Sequence, residues 1–69
     1  MPLAYAAIGE AHIIKRVGGS PAVKKHLENL GFAPGATVIV VSRIAENVIV
    51  NVKESRVAIS GELAQKIFI

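Results

Sequence analysis

The residues from Ser20 to Val41, S-P-A-V-K-K-H-L-E-N-L-G-F-A-P-G-A-T-V-I-V-V, leave this chain almost no freedom in its local path. Ser20 is suited to cap a helix, because its hydroxyl can accept from the orphan N–H groups of the first turn. Pro21 falls at the first helical position, where its missing N–H costs nothing. Val23, Leu27 and Leu30 recur at i, i+4 and i+7 and so share one face. Lys24, Lys25, Glu28 and Asn29 take the other. Gly31 supplies a left-handed stop, and Phe32 can fold back onto the last turn. Pro34-Gly35 fits a type II turn. The aliphatic run from Thr37 follows at once. The spacing predicts a helix over Pro21 to about Leu30, a tight turn, and a strand over Thr37 to Ile44.

With 69 residues there is room for one domain, spanning 1–69. A chain this short buries a modest share of its surface, so its interior must be rich in apolar side chains. Hydrophobic residues make up 52% of it, with Val and Ile prominent, and β-branched side chains favour strands. There is no cysteine, which excludes disulfides and thiolate chemistry and points to the cytoplasm. No apolar run approaches the roughly 20 residues of a membrane span. The N-terminus lacks the positive region of a signal peptide. A net charge of +3 is mild.

Around the central segment, Gly9 to Val17 reads as a first strand, with Ala11, Ile13 and Lys15 on one side and His12, Ile14 and Arg16 on the other. Gly18-Gly19 ends it. The four aliphatics of Thr37 to Val41 imply burial on both faces or a sharply curved strand. Ala45-Glu46-Asn47 is a turn with Asn47 suited to positive φ. Val48, Val50 and Val52 alternate with Ile49, Asn51 and Lys53 in a third strand. Glu54-Ser55 turns the chain again, Arg56 to Ile59 is a fourth strand, and a helical turn from Ser60 precedes a closing strand at Ile67 to Ile69. Five short strands and one helix describe a mainly β fold, a small, strongly bent barrel, since a flat sheet would expose long edges.

In this order and spacing the chain resembles the FeoA family, small proteins of ferrous iron transport. The matching pieces are M-P-L and Gly9, I-I-K-R-V-G-G, H-L-E-N-L-G-F-A-P-G, T-V-I-V-V, N-V-I-V-N-V, and V-A-I-S ahead of A-Q-K-I. The family often has a proline before its third strand, and Ala45-Glu46-Asn47 has none. The resemblance implies an SH3-like β-barrel with one inserted helix, free in the cytoplasm, without cofactor. It implies a role beside FeoB, the Fe(II) transporter of the membrane that carries a GTP-binding domain. The same fold forms the C-terminal domain of iron-dependent repressors. With a start at Met1 and no helix-turn-helix ahead of the barrel, a free-standing protein is expected.

Candidate chemistry is sparse. The chain has no aspartate and five scattered glutamates, a poor supply for a hard-cation site. His12 and His26 lie on different elements and read as ordinary strand and helix residues rather than metal ligands. Glu62 and Gln65, three apart, can converge on one face of the last helical turn. Ser20, Ser42, Ser55 and Ser60 make no set with a histidine and an acid, so no enzyme is expected. Tyr5, Phe32 and Phe68 are too few for a polyproline groove. Lys15-Arg16, Lys24-Lys25, Arg43, Lys53 and Arg56 could form a basic face, which keeps nucleic-acid binding as the second reading. The first reading is contact with a protein partner through the polar face of the helix, with Lys24, Lys25 and Asn29 as its residues. Self-association is the other way for so apolar a chain to bury surface.

Overall fold

The computed structural model describes residues 1–69. Two short strands and a helix come first: β1 (Ala11–Ile13), β2 (Arg16–Val17) and α1 (Pro21–Asn29) are followed by β3 (Thr37–Ile44). Then come β4 (Asn47–Val52), β5 (Ser55–Ser60), α2 (Gly61–Ala64) and β6 (Ile67–Phe68), and a 3-10 turn over Leu3–Tyr5 precedes them all. One antiparallel sheet has the order β1-β3-β4-β5, and β2 pairs with β6 in a second. The strands thus form two sheets around one core rather than one closed barrel, and they number six rather than five.

The extra strand arises because the segment expected as one strand changes partner midway. The Ile14 N–H donates to the Ala36 carbonyl at 2.9 Å, whereas the Lys15 N–H donates to Phe68 at 2.7 Å. Residues before this point pair with β3 and residues after it with β6. Ile14 is buried at the crossing, while Ile13 is exposed.

The central segment folds as its sequence predicts. The Val23 N–H donates to Ser20 Oγ at 3.3 Å, and Pro21 opens the helix. At its end the Gly31 N–H reaches Glu28 and the Phe32 N–H reaches Leu27, both at 2.9 Å, with Gly31 at φ +107°. This pair of bonds is the Schellman stop. It turns Phe32 into the core, where it is fully buried. Of the helix stripe only Leu27 is fully buried; Val23 and Leu30 are half-buried against the core. The Ala36 N–H closes the Pro34-Gly35 turn onto Ala33 at 3.0 Å.

In β3 the curved alternative holds. Val38 and Val40 are fully buried, and the register with β4 slips between Val40 and Ser42, a bulge that bends the strand. Val48, Val50 and Val52 of β4 all point into the core. The β3–β4 turn is Ala45-Glu46, with the positive φ on Ala45 (54°), and Asn47 is already the first residue of β4. The next turn is Lys53-Glu54, one residue earlier than expected, with φ of 50° and 64°. Ser60 Oγ accepts from the Leu63 N–H at 3.2 Å and starts α2.

The N-terminal segment, which shows no periodicity, proves to be core. Leu3 and Ala6 are buried, and Pro2 bridges to Phe68. One η-nitrogen of Arg43 donates to the Ala4 carbonyl at 2.9 Å and also to that of Ala6, fastening this segment to β3.

Candidate functional site

The helix α1 supplies the polar surface expected from its sequence. Lys24, Lys25 and Asn29 are exposed, as are His26 and Glu28. All five are exposed, so a partner can meet them without disturbing the core. The structure brings Lys24, Lys25 and Asn29 together on one short helix and records no hydrogen bond or ion pair for their side chains.

The other cations do not form one basic face. Arg43 is spent on the carbonyls of Ala4 and Ala6. Lys53 sits in the β4–β5 turn, and Arg56 is exposed on β5. Arg16, on β2, lies with its guanidinium carbon 4.2 Å from the centre of the Phe68 ring. The only ion-pair contact between side chains is His12 Nε2 to Glu10 Oε2 at 3.6 Å, so no Lys or Arg is matched to an acid.

Neither histidine joins a ligand set. His12 is half-buried opposite Val38, and its Nε2 is shielded from solvent without a hydrogen-bond partner. His26 is exposed on α1. Glu62 and Gln65 do converge, lining a polar cavity of about 530 Å³ with Glu46, Asn47, Ser60 and Gly61. Its two carboxylates have no third acidic or imidazole group beside them, and no group of three or more such residues comes together anywhere. A second cleft of about 340 Å³ lies on the outer side of β3 and β4, lined by Ala36, Thr37, Ile39, Asn51, Lys53 and Glu54. Of the aromatics, Phe32 is buried, Tyr5 is exposed and Phe68 lies under Arg16. They line no common groove.

What the arrangement offers is exposed polar surface on a small fold. A model of the FeoA domain matches residues 1–69. The chain belongs to the FeoA family. Among solved structures, an iron uptake regulatory protein (FeoA) is 28% identical with a TM-score of 0.90, covering 97% of this chain and 91% of that one. FeoA of Stenotrophomonas maltophilia complexed with zinc, described as a prokaryotic SH3 domain protein, is 23% identical with a TM-score of 0.84 over 97% and 86% of the two chains. A manganese-dependent transcriptional repressor shares the fold at 18% identity and a TM-score of 0.87, over 97% of this chain and 39% of the repressor. A search of curated proteins finds no match. The fold is the small, mainly β, SH3-like one of these relatives. No helix is long and apolar enough to cross a membrane.

The sequence reading missed Lys66 and the seating of Arg16 on Phe68. Arg16 and Phe68 are neighbours only through the β2–β6 register, and no local pattern signals a contact across that much chain.

Proposed function

We propose that this FeoA-family chain is a cytoplasmic accessory protein of a ferrous iron uptake system. It acts by contact with the cytoplasmic, GTP-binding part of an FeoB-type transporter. Family membership supports the iron-transport setting. The observation that carries the contact role is α1, a helix held to the core through Val23, Leu27 and Leu30 while Lys24, Lys25 and Asn29 remain free. A small fold offers a small interface, so the complex is of modest affinity.

The test is a calorimetric titration of the transporter's cytoplasmic domain with the native protein and a Lys24→Glu/Lys25→Glu variant. The variant should bind about tenfold more weakly or worse, a change of about 1.4 kcal/mol, with an unchanged thermal midpoint. Equal binding by both proteins would exclude this face. The second reading, nucleic-acid contact, draws on the fold shared with the repressor and on the unpaired cations. It predicts submicromolar binding to DNA or RNA that falls steeply with salt as counterions are displaced. Such binding, with none to the transporter domain, would replace the accessory role.

A further inference from the structure

The glycine pair Gly18-Gly19 does more than end a strand. Gly18 stands opposite Lys66, whose carbonyl accepts from the Gly18 N–H at 2.6 Å, and Arg16 stands opposite Phe68. By the alternation of side chains along strands, Arg16, Lys66 and Phe68 therefore share one side of the β2–β6 ribbon. A Cβ at Gly18 would lie 3.4 Å from Phe68 Cε2. A Cβ at Gly19 would come within 3.1 Å of Lys66 Cδ and 3.2 Å of Val23 Cγ1, and Gly19 has φ +95°. The two glycines leave the room that the edge of the Phe68 ring and the Lys66 stem occupy, with Val23 of α1 also beside Gly19.

Both cations of this ribbon are thereby set in place before any partner arrives. Arg16 is held over the Phe68 face at 4.2 Å, and its planar fork of donors remains exposed. Lys66 is half-buried, with its Cδ beside Gly19. Lys24 follows Val23 on α1. None of Arg16, Lys66 and Lys24 pairs with a carboxylate. A held guanidinium donates to both oxygens of a carboxylate at once, so the exposed Asp and Glu side chains of a protein surface suit it. The one aromatic ring here is already covered by Arg16, so it is not available to stack a base, which sets this surface apart from single-strand nucleic-acid platforms.

From this geometry we infer that the ribbon of β2 and β6, with the adjoining start of α1, is a docking surface for an acidic polypeptide segment. Arg16 and Lys66 are its central contacts, and Lys24 flanks them. The inference rests on the reading of this chain as a contact module and adds the chemistry of what it contacts.

A short fluorescein-labelled peptide of Glu, Asp and Gly, titrated by anisotropy at low salt, tests it apart from any transporter. The native protein should bind it, and Arg16→Gln/Lys66→Gln should bind at least about tenfold more weakly. Lys53→Gln/Arg56→Gln, which removes the same charge elsewhere, should bind as the native protein does. The amide spectra of both variants check that they fold. Peptide binding without binding to the transporter domain would uphold the surface and remove only that partner. Equal loss in the two variants would overturn the proposal as unspecific charge attraction, and so would the absence of peptide binding. An oligothymidylate of equal length binding more tightly than the peptide would overturn it in favour of nucleic acid.

Discussion

Leu27 and Leu30 stand three residues apart on α1, and both have the spacing of core positions. Leu27 alone is fully enclosed; Leu30 caps the helix and keeps part of its side chain in water. Leu27→Ala leaves a cavity that the surrounding side chains only partly refill, and should cost about 2–5 kcal/mol. In a domain of ordinary marginal stability that unfolds a large share of the molecules. Leu30→Ala should cost less, because less of its surface leaves water on folding. Thermal or urea unfolding of the two variants checks the order, and a larger loss at Leu30 would mean that the helix sits rotated from its described position. Periodicity placed the stripe correctly, since i, i+4 and i+7 fall on one side whatever the rest of the fold does. It carries no information on how deep each member of the stripe sits, because depth depends on which strand lies beneath. Arg43 illustrates the same limit. As a basic residue at the end of a strand it reads as solvated, yet its partners are backbone carbonyls of the N-terminal segment.

At the scale of elements, the sequence was most legible where each end of an element carries its own stop signal. Ser20, Pro21 and Gly31 bound α1, and the alternation of Val48, Val50 and Val52 marks the inner side of β4. Turns lacking such residues were placed a residue off. Lys53 and Glu54 both hold positive φ in a two-residue hairpin, a conformation that Asn-Gly adopts readily and L residues with long side chains do not. Replacing Lys53-Glu54 by Asn-Gly should therefore stabilise the protein by about 1 kcal/mol, the strain relieved being partly offset by the greater freedom of glycine in the unfolded chain. Chemical denaturation with an unchanged slope measures it. A loss of stability would show that the Lys53 stem, which packs near Gly31, outweighs the turn. The polar side of α1 was legible for the same reason as its core stripe. The ribbon carrying Arg16 was not, because it is built from two segments at opposite ends of the chain.

For the molecule as a whole, the two sheets differ in how far the chain must travel to form them. β3, β4 and β5 are consecutive neighbours joined by two-residue turns, whereas β2 finds its partner only at β6. Closing a long loop costs chain entropy before any contact repays it, so the three-stranded meander should assemble ahead of the ribbon. Val50→Ala, in the middle strand, should then slow refolding, while Val17→Ala, in β2, should chiefly speed unfolding. Stopped-flow chevrons of the two variants read this directly, and the opposite assignment of the two limbs would reverse the order. The time course has a bearing on recognition. Arg16 and Phe68 meet in a pairing that closes after the meander, so a chain still completing its fold presents no organised acid-binding surface, and only a molecule with the ribbon closed is competent to engage a partner there.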